Sequence, residues 1–334
     1  MNAVSSTTLL IGVAALVGCQ DRREPRIDPA ALVAFAPLPA AMEPAGATVP
    51  QARIDLGRQL YYETRLSRNH DLSCNSCHRL AAYGVDGERF SRGVGGQLGG
   101  RNAPTVYNAA GHIAQFWDGR APTVEAQAKG PILNPIEMAM PDSARVVQEL
   151  RALPAYRAMF AAAFPIEAEP VTYDNIGRAI GAFERRLVTP SRWDRYLAGD
   201  RTALTPAEVQ GFRTFVDAGC GSCHFGAYVG GTTYQKLGLV HAWGTESDPG
   251  RFGATHLAAD RMVFKVPSLR NVAQTAPYFH DGSVTALDDA VRLMGYHQLD
   301  RQLTVDQVAA IGAWLRSLTG ELPGHYITPP PPVN

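Results

Sequence analysis

Three features are scarce in this sequence: excess charge of one sign, long apolar runs and cysteine. Lys and Arg together number 31, and so do Asp and Glu, so nothing points to a nucleic-acid partner or an anionic membrane surface. The one notable apolar run, at positions 9–18, is too short to span a bilayer and is typical of the apolar region of a signal peptide. These absences favour an exported protein that binds no nucleic acid.

Four of the 5 cysteines lie in two copies of one motif, Cys-x-x-Cys-His, at residues 74–78 and 220–224. This motif attaches haem c: the two cysteines form thioether bonds to the porphyrin, and the adjacent His ligates its iron. A redox dithiol or two zinc half-sites also use Cys-x-x-Cys, but neither needs a His after each pair. We therefore predict two covalently bound haem c groups. Their predicted ligands are Cys74, Cys77, His78, Cys220, Cys223 and His224.

The remaining cysteine, Cys19, ends the segment Leu-Val-Gly-Cys. This segment resembles a bacterial lipobox, in which the cysteine is lipidated and becomes the mature N-terminus; the alternative is a cysteine that is removed with the signal peptide. Residues 1–19 are interpreted as a signal peptide with a lipobox-like end. Residues 20–50 are rich in Pro and Ala without helical or strand periodicity, which predicts an extended linker.

Helical patterns dominate the rest of the chain. Apolar residues recur at three- and four-residue steps over about 142–160 and 173–187, which predicts a helix in each stretch. Thr205 and Thr304 each open a capping box at the start of a further helix. Strand signals are few, and the composition shifts near Thr189. We therefore predict a mainly α fold of two cytochrome-c-like domains, each carrying one covalently attached c-type haem: residues 51–189 and 190–326, followed by a tail at 327–334.

The sixth ligand of each iron decides what each haem can do. A six-coordinate haem only transfers electrons, whereas an open haem can bind peroxide or oxygen. No His or Met occurs between Arg79 and Gly111, which favours an open first haem. After the second motif the residues alone leave several candidates for the sixth ligand: Met262, Met294, His241, His256, His280 and His297.

Four longer motifs carry a family resemblance. They are QFWDGRA at 115–121, QAKGPILNPIEM at 127–138, TAPYFHDGS at 275–283 and MGYHQL at 294–299. Together they resemble the bacterial di-haem cytochrome c peroxidases, whose relatives include the MauG-type enzymes that mature tryptophylquinone. The resemblance implies a periplasmic enzyme that reduces hydrogen peroxide to water with electrons from a small c-type cytochrome or a cupredoxin. Members of this family are commonly homodimers, which the sequence neither supports nor opposes.

The resemblance also implies roles for individual residues. Trp117 matches the Trp between the haems, where a ring shortens the electron path, although many Trp residues only pack in a core. Gln127 and Glu137 match the polar pair on the open side of the first haem, where they would move a proton of peroxide and stabilise charge. Met294 matches the sixth ligand of the second haem, and a thioether ligand raises the reduction potential.

A calcium ion between the two domains is a further implication of the resemblance. Asn102 and the carbonyl groups of Thr275 and Pro277 match its ligands, and oxygen ligands suit this hard cation. His280 matches a position near the second haem with a supporting role. This set follows from the resemblance and not from the spacing of the residues.

One position departs from the family pattern. Within the glycine-rich stretch at 91–97, the family usually has a His where this chain has Val94. In the family that His caps the first haem of the resting oxidised enzyme and leaves when the second haem is reduced. Since Val cannot ligate iron, we predict a first haem that is open without reductive activation. Two alternatives stay open: a MauG-like oxidase that modifies a partner protein, and a non-catalytic di-haem electron-transfer protein.

Overall fold

The computed structural model describes residues 26–44, 46, 48–244 and 247–333. The predicted signal peptide and the predicted lipidation of Cys19 therefore lie outside the described residues. Within these ranges no helix is long and apolar enough to cross a membrane.

Helices form most of the regular structure of the described chain. The helices of the first half are α1 (Pro29–Leu32), α2 (Gln51–Tyr61), α3 (Cys74–Cys77), α4 (Val124–Leu133), α5 (Ser143–Arg151), α6 (Pro154–Ala163) and α7 (Tyr173–Glu184). Those of the second half are α8 (Arg192–Leu197), α9 (Pro206–Asp217), α10 (Phe252–Thr255), α11 (Leu287–Leu299), α12 (Val305–Ser317) and α13 (Gly324–Ile327). Two short strands, β1 (Tyr234–Lys236) and β2 (Val263–Lys265), pair antiparallel. The prediction of a mainly α fold is confirmed.

The two predicted capping boxes are present at the starts of α9 and α12. At α9 the hydroxyl of Thr205 accepts from the backbone N–H of Glu208, whose carboxylate accepts from the N–H of Thr205. The prediction of one helix over 142–160 is wrong, because α5 and α6 are separate helices. Pro154 starts α6; its ring fixes φ and it has no N–H, so it suits the first turn of a new helix and interrupts an existing one.

The buried apolar side chains form two clusters, one in each half of the chain. The first core includes Leu56, Tyr156 and Phe183 from α2, α6 and α7. The second core includes Trp193 and Trp314 from α8 and α12. Helix α2 packs chiefly on α7, and α9 packs chiefly on α12. Each half of the chain therefore has its own hydrophobic core.

A buried hydrogen-bond cluster joins the two halves at Thr189. Its hydroxyl accepts from the side-chain amide of Asn108 at 2.8 Å and from that of Asn271 at 2.9 Å. The side-chain oxygen of Asn271 accepts in turn from the backbone N–H of Gly320 at 2.9 Å. Since buried polar groups are costly unless they are paired, this cluster fixes how the halves meet.

The two ends of the described chain each pack on the opposite core. Phe35 lies in the second core, with its ring centroid 5.8 Å from that of Trp193 and 5.2 Å from that of Phe212. Val333 is buried against the first core, and its carbonyl oxygen accepts from Arg65 at 2.8 Å. Both the predicted linker and the predicted tail thus contain buried side chains that anchor them to the fold.

Candidate functional site

A deep, mostly apolar cavity lies beside the second Cys-x-x-Cys-His motif. Cys220, Cys223 and His224 line it, and so does Met294 from helix α11. Residues from the first half of the chain complete the wall. Of the six candidates for a sixth iron ligand, Met294 and His280 line this cavity. The fold therefore brings the second motif and Met294 to one site.

The chemistry of these side chains fits a covalently bound haem. Both thiols are free. The Nδ1 atom of His224 is buried and has no hydrogen-bond partner within the described residues. Burial lowers the pKa of His224 to about 4, against the weaker opposite effect of backbone groups at Val229 and Pro267. A neutral imidazole is the form that ligates iron.

The first motif lies on the short helix α3 and on the residue that follows it. The hydroxyl of Tyr61 donates to the backbone carbonyl of His78 at 2.7 Å, while Cys74 packs against the first core. Burial lowers the pKa of His78, and its Nδ1 atom meets no partner within the described ranges. The first motif is therefore also suited to a covalent haem with a neutral His ligand.

Glu137 lies close to the first motif. Burial is the main cause that raises the pKa of the Cys77 thiol, and the nearby carboxylate of Glu137 adds to the rise. Burial also raises the pKa of Glu137 itself, against the opposing effects of Arg120 and of a hydrogen bond from Asn134. The amide of Asn134 donates to Oε1 of Glu137 at 2.9 Å. Such a carboxyl group can exchange a proton nearer to neutral pH than an ordinary Glu.

The loop that contains Val94 packs on the turn that carries Glu137. The backbone N–H of Val94 donates to the carbonyl oxygen of Glu137 at 2.8 Å. At Gly93 a Cβ atom would lie 1.8 Å from the carbonyl oxygen of Ile136, so only glycine permits this approach. Val94 is buried, with 8% of its surface exposed, and its side chain is apolar.

Gln127 lies on α4, the helix that leads into the same turn. Thr123 caps this helix by accepting from the backbone N–H of Ala126. Asn134 is the C-cap residue of this helix, seven residues after Gln127. Gln127 is half-buried. The turn after α4 thus joins the amide of Asn134 to the carboxyl of Glu137, and Gln127 lies on the helix that leads into this turn.

Trp117 lies where the two halves of the chain meet. Its indole N–H donates to the carbonyl oxygen of Asn102 at 2.9 Å, and its own carbonyl oxygen accepts from the N–H of Lys265 at 2.8 Å. Trp117 lines the cavity of the second motif, and its ring centroid lies 6.5 Å from that of His280. The indole N–H therefore bonds to the first half of the chain, and the backbone of Trp117 bonds to the second half.

Two charged features of this region were not predicted. Arg101 pairs with Asp118 at 2.7 Å and with Asp248 at 2.6 Å, which ties the segment of Trp117 to the second half. The ammonium of Lys265 lies 3.1 Å from Nδ1 of His112. Both residues line the cavity. Burial lowers the pKa of Lys265 to about 8. Contacts between residues this far apart in the chain leave no local sequence pattern.

The calcium hypothesis concerns three residues of the cavity wall. Asn102, Thr275 and Pro277 all line it. The side-chain N–H of Asn102 donates to the carbonyl of Glu88 at 2.9 Å, which leaves its Oδ1 atom for another partner. No group of three or more His, Cys, Asp and Glu side chains that could hold a metal occurs in the part of the chain that the structure describes. A calcium ion here would depend on amide and carbonyl oxygens.

Comparison with known proteins adds independent information. Residues 51–202 match the model of the family described as di-haem cytochrome c peroxidase. The cytochrome c551 peroxidase of Pseudomonas aeruginosa is 45% identical over 86% of this chain and 85% of its own length. The methylamine utilization protein MauG of Methylorubrum extorquens is 36% identical over 71% of this chain and 66% of its own length.

Among solved structures, the chain resembles a MauG-like protein associated with microbial copper homeostasis. The TM-score is 0.75 at 32% identity, over 88% of this chain and 95% of that one. The similarity therefore extends over both halves of the molecule, well beyond the two short cysteine motifs.

Proposed function

Because the chain belongs to the di-haem cytochrome c peroxidase family, a family with two c-type haems, we propose that it reduces hydrogen peroxide to water with electrons from a small c-type cytochrome or a cupredoxin. The observation that carries the proposal is the contrast between the two motifs. The second motif shares its cavity with Met294, whereas the loop beside Glu137 presents the apolar Val94. One six-coordinate and one open haem would divide the work into electron uptake and catalysis.

The residues around the first haem would handle the protons of peroxide. Haem supplies reversible one-electron chemistry and, where the iron is open, a place for peroxide to bind. Glu137 would take a proton from the inner oxygen of peroxide and deliver it to the outer oxygen, as general base and then general acid. Asn134 supports the charged form of Glu137 through its hydrogen bond. Gln127 would stabilise charge by donating a hydrogen bond to the departing oxygen.

Electrons would enter at the haem ligated by His224 and Met294 and pass by Trp117 to the haem ligated by His78. This route is supported by the position of Trp117 in the cavity wall and by its backbone hydrogen bond from Lys265 of the second half. We further propose calcium at Asn102, Thr275 and Pro277. On this proposal a calcium chelator slows electron transfer between the haems, and added Ca²⁺ restores it.

The chain is proposed to act in the periplasm. Attachment of haem c to its motif takes place outside the bacterial cytoplasm in this family, and the apolar run at 9–18 is typical of an export signal. Lipidation at Cys19 would tether the enzyme to a membrane surface. Mass spectrometry of the mature N-terminus tests both points.

The test of the proposed function is an EPR spectrum of the fully oxidised protein, followed by peroxide turnover without any reductive pre-treatment. We expect one high-spin and one low-spin ferric signal, with immediate turnover when a reduced c-type cytochrome is supplied. Two low-spin signals, with activity only after half-reduction, would show that another ligand caps the first haem. Absence of peroxide turnover under both conditions would rule out the peroxidase.

A second candidate function is oxidation of a partner protein by the same two haems. Val94 favours it, because it leaves the first haem open without reduction. Met294 opposes it, because the MauG-type oxygenases resemble this chain but have Tyr at this position. Fast reduction of the second haem by a cytochrome would favour the peroxidase.

A further inference from the structure

A continuous series of ring contacts runs from the cavity of the second motif to the protein surface. Phe279 lines the cavity, and its ring centroid lies 4.6 Å from that of Trp243. Trp243 lies 4.9 Å from His297, and His297 lies 5.0 Å from Tyr296. Tyr296 stacks on His241 at 4.2 Å. Because Tyr296 is 42% exposed, the series connects the wall of the cavity with solvent.

Hydrogen bonds hold these rings in place. The Nδ1 atom of His297 lies 2.8 Å from the carbonyl oxygen of His241, and the carbonyl of His297 accepts from the backbone N–H groups of Val240 and His241. Nε2 of His241 lies 2.6 Å from a carboxylate oxygen of Asp300. Tyr296 also lies on α11, the helix that carries Met294. Tyr296 and His297 therefore lie on the same helix as Met294. His241 and Trp243 contact these two rings from a loop.

Trp and Tyr are the aromatic side chains that lose one electron most readily. We propose that Trp243 and Tyr296 form a route that supplies electrons to the second haem when peroxide is present and the donor protein is absent, with Tyr296 as a surface oxidation site for small phenols. This rests on the proposed function, because peroxide reduction provides the oxidant. Phe279 is the contact through which the electron reaches the cavity.

The reaction balances in two one-electron steps. Reduction of one hydrogen peroxide to two waters takes two electrons and two protons. In each step Tyr296 loses one electron through Trp243 and releases its phenolic proton to solvent, which leaves a neutral tyrosyl radical. A phenol in solution transfers a hydrogen atom to this radical and restores Tyr296. One peroxide and two phenols thus give two waters and two phenoxyl radicals.

The experiment uses the full-length enzyme with both haems attached, peroxide and 2-methoxyphenol, without any cytochrome. We expect Tyr296→Phe and Trp243→Phe each to slow phenol oxidation about tenfold or more, while peroxide reduction with reduced cytochrome stays unchanged. Tyr326→Phe is the control, because Tyr326 packs against the first core; it should change neither rate. A nitroso spin trap should label Tyr296 in the natural protein, as located by peptide mass mapping.

Equal phenol oxidation in the natural protein and in both variants would overturn the proposal. So would a natural protein that reduces peroxide with cytochrome but oxidises no phenol, and in that case the proposed peroxidase function would stand. If the natural protein reduced no peroxide even with cytochrome, the proposed function would fail and this inference would fail with it.

Discussion

The backbone N–H of Val94 donates to the carbonyl oxygen of Glu137 over 2.8 Å. The position at which the resembled family usually has a His is therefore joined directly to the turn that carries the proposed proton-transfer group. Val94 is almost fully buried, so a larger side chain at this position must displace its neighbours or point elsewhere. This contact makes residue 94 the natural place to test the resting state of the enzyme.

Val94→His should close the first haem. We expect the new imidazole to ligate the iron, so that the high-spin ferric EPR signal becomes low-spin. Peroxide turnover by the fully oxidised variant should fall about tenfold or more and recover after one-electron reduction. Val94→Ala is the control and should keep the high-spin signal. A His variant that stays high-spin and fully active would contradict this prediction.

Glu137→Gln should remove the proton-transfer group and keep its size. We expect kcat/KM for peroxide to fall by about 10²–10⁴, the usual contribution of general acid–base catalysis. The measurement is stopped-flow reduction of peroxide with excess reduced cytochrome. Gln148→Ala, on the exposed side of α5, is the control and should leave the rate unchanged. A loss smaller than about tenfold would assign the proton transfer to another group.

The pH dependence of turnover should reveal the environment of Glu137. Burial raises the pKa of this carboxyl, and the base must be deprotonated to accept a proton. The rate should therefore decline, as pH falls, at a higher pH than an ordinary Glu would give. Asn134→Ala removes the hydrogen bond that stabilises the carboxylate, so it should shift this decline to still higher pH. A pH profile that is identical in the two proteins would exclude Glu137 as the base.

Trp117→Phe should slow electron transfer between the haems. The smaller ring loses the hydrogen bond to Asn102 and reaches less far between the halves. When the reduced protein is mixed with peroxide, we expect oxidation of the second haem to slow about tenfold, with unchanged binding of peroxide at the first. An unchanged rate would mean that electrons bypass this ring.

Asp194→Ala should destabilise the second half of the protein strongly. Asp194 pairs with Arg270 at 2.6 Å, and the Arg270 side chain is 0% exposed. Removal of the Asp194 carboxylate therefore leaves the buried guanidinium without its charged partner. Such a loss costs about 3–5 kcal/mol in the free energy of unfolding. Glu149→Ala breaks the more exposed pair with Arg145 and should cost less than about 1 kcal/mol. Chemical denaturation of both variants tests the contrast.

Local patterns in the sequence predicted the parts of the molecule that depend on neighbouring residues. The Cys-x-x-Cys-His motifs and the capping box at Thr205 are of this kind, because their geometry is set within five residues or fewer. The break at Pro154 was missed, although its chemistry is local, because the apolar periodicity continues across it. Arg101 and Lys265 were missed for a different reason: their partners are brought close only by the tertiary fold.

The family resemblance supplied what neither periodicity nor composition could. Nothing in the residues alone singled out Met294 among the six candidates, since a Met on a helix is usually a core residue. The structure places it at the cavity of the second motif. The packing of Phe35 and Val333 on opposite cores has no counterpart in the sequence pattern, because a Pro- and Ala-rich segment can be extended and still be packed.

The exchange of the two chain ends between the cores has a consequence for how the protein is made. Synthesis runs from the N-terminus, so Phe35 is made long before Trp193, against which it packs. The first core likewise includes Val333, which is synthesised after the whole second half of the chain. Each core is therefore completed by a segment from the opposite end of the chain, and we expect haem attachment at Cys74 to begin before the first core is complete.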